Sequence, residues 1–121
     1  MNLFFDTYAL IEIMKNNPNY AKYKDFDINT CTINLSEFYY FLLKVYNEKK
    51  ADYLIKRINF KLANIIQTHV ALKSSQFRFR YKKEKLSYID CLGYILSKEM
   101  NMKFLTGDEK FKNKDNVEFV K

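Results

Sequence analysis

Residues 86–111 read LSYIDCLGYILSKEMNMKFLTGDEKF and carry the strongest local signals in the chain. Ser87 stands where an N-cap belongs, and Leu92, Ile95, Leu96 and Met100 follow at helical spacing. Lys103 to Leu105 then reads as a short strand, closed by Thr106, Gly107 and Asp108. A helix that runs into an apolar strand and a polar turn is the repeating unit of an α/β chain. Two acids take distinct places in this unit. Asp90 lies in the first turn of the helix, and Asp108 lies just past the strand.

The same alternation extends towards the amino terminus. Residues 2–5 form an apolar run that stops at Asp6, a buried strand by pattern. Ala9, Leu10, Ile13 and Met14 follow at helical spacing, with Asp6 or Thr7 to start the helix. Asn16, Asn17, Pro18 and Asn19 break the chain, and a Tyr/Lys-rich helical stretch runs on to Lys24. Residues 28–33 read as a second strand. Asn34 and Glu37 then have the spacing of a capping box, ahead of an apolar stripe of Leu35, Phe38, Leu42, Val45 and Tyr46. Lys49 and Lys50 mark a connection. Tyr53, Leu54, Ile58 and Leu62 continue as a helix, and residues 64–66 read as a short strand.

Residues 68–85 fit two periods. Phe77, Phe79 and Tyr81 alternate with Arg78, Arg80 and Lys82 as in a strand, while Val70, Ser74, Phe77 and Tyr81 share one helical face. Helix is favoured, because a strand–helix–strand chain needs a crossover here. Residues 117–120 supply a last strand. The order predicts one α/β domain over residues 1–121 with a largely parallel central sheet.

Composition narrows the class. A chain of 121 residues buries roughly two-thirds of its unfolded surface, enough for a core without metal or disulfides. Hydrophobic residues make up 48%, which argues against intrinsic disorder, and 2 Gly with 1 Pro exclude collagen-like or linker-rich designs. No apolar run is long enough to span a bilayer, and the opening MNLFFDTYALIEIMK lacks a basic n-region. Cys31 and Cys91 sit in apolar segments without a CxxC pair and read as buried free thiols of a cytoplasmic protein. The single His69 reads as a structural or surface residue. Lys and Arg total 21 against 14 acids, a net charge of +7, which biases the protein towards polyanions.

Asp6, Glu37, Asp90 and Asp108 are separated by 31, 53 and 18 residues, yet each falls at a strand's carboxyl end or the start of the following helix. In a parallel sheet those places share one edge. Each acid singly has an ordinary reading as a cap, a helix-dipole partner or a turn residue. Their apolar neighbours argue for more: Asp6 follows Phe4 and Phe5, and Asp90 sits between Ile89 and Cys91. Clustered carboxylates repel, and a hard cation such as Mg²⁺ or Mn²⁺ resolves that conflict. Such a cation on a basic protein suggests phosphodiester hydrolysis that leaves 5′-phosphate ends. With one histidine, a two-histidine ribonuclease is excluded.

FFDTYAL (4–10), INLSEFYY (33–40) and the 86–111 stretch resemble, in order, the acidic motifs of PIN-domain nucleases, in particular the toxins of VapBC-type toxin–antitoxin pairs. The resemblance implies a PIN-like three-layer α/β/α sandwich with a small, largely parallel sheet. It implies that Asp6, Glu37, Asp90 and Asp108 hold Mg²⁺ or Mn²⁺ and that Thr7 and Thr106 order the site. Phe111 corresponds to an aromatic that packs behind the last acid. An RNA substrate, a cognate antitoxin and a homodimer are likewise implied. Alanine is usual in the family where this chain has Cys91.

Lys73, Arg78, Arg80, Lys82, Lys83 and Lys85 crowd one segment, and Arg78, Arg80 and Lys82 are the candidate RNA-binding residues. Tyr39, Tyr40 and Tyr88, close in sequence to Glu37 and Asp90, read as core, dimer-interface or base-stacking residues. Three functional readings follow. The leading one is a toxin endoribonuclease; the others are a housekeeping RNA-processing nuclease and a catalytically silent RNA- or protein-binding module. A phosphoryl-accepting receiver is excluded for want of a mid-chain acceptor Asp. A DxD phosphatase is excluded because position 8 is Tyr8.

Overall fold

Leu3–Phe5 is the central strand, β1, of a five-stranded sheet. The computed structural model describes every residue, Met1–Lys121. After β1 come α1 (Thr7–Met14), a 3₁₀ segment (Pro18–Asp25), β2 (Ile28–Cys31), α2 (Thr32–Val45), α3 (Glu48–Lys56) and β3 (Phe60–Ala63). Then follow α4 (Thr68–Arg80), a 3₁₀ turn (Lys82–Glu84), α5 (Tyr88–Glu99), β4 (Lys103–Thr106), a 3₁₀ turn (Glu109–Phe111) and β5 (Val117–Phe119). The strand order is β3-β2-β1-β4-β5, and every pairing is parallel.

Strand alternation divides the core in two. Phe4 and its register partner Phe104 face α4 and α5, with ring centroids 6.1 Å apart, and pack with Phe77, Tyr94, Leu96 and Phe111. Leu3, Phe5 and Leu105 face the other way, onto Leu10, Phe38, Leu42, Tyr20 and Tyr23. Helices therefore cover both faces, which is the three-layer α/β/α sandwich expected. Cys31 and Cys91 are buried free thiols, and His69 lies on the surface, 3.0 Å from Glu99.

The β1–β2 pairing holds a single register pair, Phe4 with Asn29. Side chains of β2 satisfy the carbonyls this leaves over: Thr30 Oγ1 donates to the Phe5 carbonyl at 2.8 Å, and Asn29 Nδ2 donates to the Leu3 carbonyl at 3.1 Å. Buried backbone polar groups need such partners.

Four local expectations are corrected. The second strand ends at Cys31, where pairing with Ala63 ends, so Thr32 and Ile33 are helical despite their β-branched side chains. Asn34 is consequently no N-cap and forms no capping box with Glu37. Cys31 holds the cap position, and Glu37 falls in the second turn of α2. The third strand is Phe60–Ala63 rather than residues 64–66, and Leu62 lies in that strand, because register with Ile28–Cys31 overrides the weak local pattern. The α2 stripe ends early: Phe38 and Leu42 are buried, but Val45 and Tyr46 reach solvent past the edge of the core. The ambiguous 68–85 region is helical through Arg80, with Val70, Ser74 and Phe77 inward.

Both glycines serve close approach. A Cβ on Gly93 would lie 3.3 Å from the rings of Phe4 and Phe104, and one on Gly107 would overlap the Tyr8 ring and the Val120 carbonyl oxygen. The left-handed positions fall instead to Asn16, Lys85, Asn101 and Asn116. Gly107→Ala forces backbone to move and is expected to cost about 1–3 kcal/mol. Thermal unfolding followed by circular dichroism should show a melting temperature several degrees lower; an unchanged value would contradict this packing.

Candidate active site

The chain runs from β1 outward to β2 and β3, then returns past β1 to β4 and β5. The crevice beyond the carboxyl ends of β1 and β4 is thus a topological switch point, where α/β sheets place ligands. Asp6, Glu37, Asp90 and Asp108 all line one pocket there, of about 420 Å³, together with Thr7, Tyr8, Tyr40 and Lys44.

Asp6 is the innermost acid. Strand pairing fixes its backbone, since its N–H donates to the Leu105 carbonyl at 3.0 Å. Only 3% of the residue is exposed. Its Oδ2 accepts from Thr106 Oγ1 at 2.8 Å, while its Oδ1 is buried with no hydrogen-bond partner. Burial, and next the charge of Asp90, push its carboxyl up to about 7; the Thr106 hydroxyl and the Thr7 amide pull the other way.

The other acids are held by local hydrogen bonds. Thr106 Oγ1 also accepts from the Asp108 N–H at 3.1 Å, so one hydroxyl joins the first acid to the last. Asp108 Oδ1 accepts from the Lys110 N–H at 3.0 Å and caps the following 3₁₀ turn. Asp90 Oδ2 accepts from the Ser87 N–H at 3.1 Å, while Ser87 Oγ accepts from the Asp90 N–H at 3.0 Å, a full capping box. Capping and site roles therefore coexist in Asp90: one oxygen closes the helix end, and the residue still lines the pocket. Phe111 is buried behind this turn, with its ring centroid 5.0 Å from that of Phe104.

Asn34 is a site-supporting residue that sequence reasoning placed in the wrong role. It is fully buried in the first turn of α2, accepts from the Cys31 thiol at 3.0 Å, and donates from Nδ2 to Thr7 Oγ1 at 3.0 Å. The Thr7 hydroxyl thus accepts from Asn34 and keeps its own proton to donate into the pocket. A polar residue three positions before the second acid was the available signal, and the capping reading absorbed it.

The three candidate RNA-binding residues are not on the acidic pocket. Arg78 Nε donates to the Leu86 carbonyl at 2.9 Å, with its guanidinium 4.2 Å from the Tyr88 ring centroid. Lys82 sits 4.6 Å over Phe79. Arg80 lines a separate groove with Glu84, Lys98, Lys114 and Asp115. The basic residue at the acids is Lys44 of α2. Of the three tyrosines, Tyr39 bonds Asp52, whereas Tyr40 and Tyr88 are exposed.

The donor set suits a hard, largely hydrated cation. Every candidate ligand is oxygen, and the orphaned Asp6 Oδ1 is an anchor that lacks a counter-charge. No three of the acids converge into a ready-made ligand cage, so a cation here would keep much of its water shell, as Mg²⁺ does.

Two outcomes follow. A carboxyl raised from 3.8 to about 7 stabilises the fold while protonated; that contribution is complete below its unfolded value and is lost as pH rises through the folded one. In metal-free buffer, Asp6→Asn should therefore unfold at a higher temperature than the parent at pH 8, and the difference should vanish towards pH 4. Equal melting temperatures at pH 8 would refute the buried charge. Asn34→Ala leaves the Thr7 hydroxyl without its donor and the Cys31 thiol without its acceptor, and should cost about 1–3 kcal/mol in urea denaturation.

Residues 3–117 match the family model described as PIN domain. No curated protein matches the chain by sequence. Among solved structures, the chain is similar to a toxin–antitoxin complex from Klebsiella pneumoniae, at 20% identity and TM-score 0.74 over 98% of this chain and 96% of that one. It is similar to VapBC2 from Rickettsia felis, bound to a fragment of promoter DNA, at 19% identity and TM-score 0.74 over 100% of both chains. It also matches VapC20 from Mycobacterium tuberculosis, a sarcin-ricin loop cleaving toxin, at 13% identity and TM-score 0.78 over 99% of this chain and 100% of that one. The family match spans β1 to the start of β5 and takes in all four acids, and the chain belongs to the PIN domain family.

Proposed function

We propose that this protein is a Mg²⁺- or Mn²⁺-dependent endoribonuclease and the toxin of a toxin–antitoxin pair. The observation that carries the reading is that four acids, brought from four parts of the chain, line one pocket, and the innermost of them, Asp6, has a buried oxygen with no partner. The net charge of +7 suits a polyanionic substrate. Family membership favours a nuclease, and the similar structures, toxin–antitoxin complexes and a sarcin-ricin loop cleaving toxin among them, favour a toxin.

Asp6, Glu37, Asp90 and Asp108 would hold the cation. Bound there, it supplies a Lewis acid that makes water a better nucleophile and neutralises charge building on a phosphate. Thr106 holds Asp6 and the Asp108 backbone in one geometry. Thr7, oriented by Asn34, has a proton to donate to a phosphate oxygen or an ordered water. Glu37 makes no side-chain hydrogen bond within the protein, so its carboxylate is free for the cation or its water. A cognate antitoxin would silence the site by covering these carboxylates with a cationic group. A homodimer and a cytoplasmic setting complete the reading; no helix is long and apolar enough to cross a membrane.

The test is cleavage of a mixed structured RNA with Mn²⁺ or Mg²⁺, beside EDTA and Asp6→Asn and Asp90→Asn variants, with product ends mapped. We expect 5′-phosphate ends, a loss of at least 10²-fold in rate in each variant, and no cleavage with EDTA. Cutting that survives EDTA or both substitutions would overturn the reading. Absence of cleavage, together with no metal-dependent rise in melting temperature, would favour a silent binding module.

A further inference from the structure

The crossover helix α4 ends beside the start of α5, and the two enclose a recess of about 210 Å³. Resting on the ribonuclease reading, we propose that this recess is a nucleotide subsite. It takes one base of single-stranded RNA against Phe79 and Tyr88, and the adjoining phosphate on Lys82 and Lys85.

Charge is the first argument. Arg78, Lys82 and Lys85 line the recess, and no carboxylate does. None of the three is in an ion pair; the paired lysines are Lys61, Lys73, Lys98, Lys114 and Lys121. The neighbouring groove around Arg80 is lysine-rich too, but Lys114 bonds Glu84 at 2.7 Å and Lys98 bonds Asp115 at 3.1 Å. That groove pairs two of its lysines internally and carries three carboxylates, whereas the recess carries none and keeps its positive field for an anion.

Exposed aromatic surface is the second. Phe79 is 71% exposed and Tyr88 is 57% exposed, although the inner face of α4 is fully supplied by Val70, Ser74 and Phe77. Each ring carries a cation on its face, Lys82 over Phe79 and Arg78 over Tyr88. Ring faces beside unpaired cations match the two halves of a nucleotide, with the base stacked and the phosphate paired. Recess volume admits one unstacked base and excludes a duplex.

The third is construction. The Arg78 bond to the Leu86 carbonyl ties α4 to the loop ahead of α5. Lys85 sits in the left-handed region at φ 57°, and its carbonyl accepts from Lys110 Nζ at 3.1 Å. The recess and the acidic pocket share only the first turn of α5, which gives Tyr88 to one and Asp90 to the other. Tyr88 opens the helix whose third residue is Asp90, and Lys110 lies two residues past Asp108.

The experiment uses the full chain carrying Asp6→Asn, so that RNA is bound and not cut, with a fluorescein-labelled single-stranded RNA of mixed sequence read by anisotropy. We expect Phe79→Ala and Tyr88→Ala each to weaken binding about tenfold, the loss of one stacked base. Phe79→Tyr and Tyr88→Phe should bind as the parent does. Lys82→Gln with Lys85→Gln should flatten the salt slope by about 0.7, the share of one phosphate on a single strand. Melting temperatures exclude unfolding as the cause. Should the alanine variants bind as tightly as the parent while wild-type protein still cuts RNA, the subsite falls and the ribonuclease reading stands. If wild type cuts no RNA and the parent binds none, both fall. Should Phe79→Ala instead break up an oligomer in sedimentation and leave RNA affinity unchanged, the recess is a protein interface and the subsite is wrong.

Discussion

A carboxylate at the end of a central strand has little water and must be held by protein. Asp6 is in that position: one oxygen accepts from Thr106, and the other has no partner at all. An unpaired buried charge costs several kcal/mol, so the surrounding structure is arranged around a constraint that works against stability. Strand β1 must end at Phe5, Thr106 must reach across from β4, and Gly107 must lack a side chain so that the turn can pass Tyr8 and Val120. Asn34 is buried to hold Thr7 next door. These groups contribute little to one another as packing. They make sense as the frame of a site that expects a counter-charge.

The sheet gives that site its rigidity. Leu3–Phe5 is only three residues long, yet it packs on both faces and pairs with strands on both sides. The carboxyl end of β1 is therefore held from both sides, and the reversal of strand order there opens the crevice. Acids delivered from α2, α5 and the turn after β4 meet Asp6 because each follows a strand or crossover that ends on the same edge.

The positive charge is organised as well as abundant. Most lysines near α4 and α5 are either neutralised by Glu84, Glu99 and Asp115 or point to open solvent. The unpaired set around Phe79 and Tyr88 stands apart, in a recess that no carboxylate lines. Counting the basic residues of the 78–85 segment along the chain groups side chains that the helix sends to different faces. Arg80 and Arg78 are two positions apart, and at 3.6 residues per turn they diverge by about half a turn.

The chain order of elements, the buried strand ahead of Asp6, the Ser87 cap and the strand running into Thr106-Gly107-Asp108 were legible because each rests on local periodicity or hydrogen bonding within a few residues. Asp6, Asp90 and Asp108 were legible for the same reason, being marked by the strand and helix ends beside them; Glu37 was read through a capping box that does not form, and it reaches the pocket from the second turn of α2. What the sequence could not carry was anything set by a neighbour distant along the chain. Strand β3 exists because it meets the register of β2. Helix α2 begins at Thr32 because the sheet ends at Cys31. Asn34 is a buried support because α2 lays it against Thr7, 27 residues earlier. Local chemistry determined the parts and the acids; the tertiary structure alone decided which of them touch, because burial and long-range pairing override local propensity.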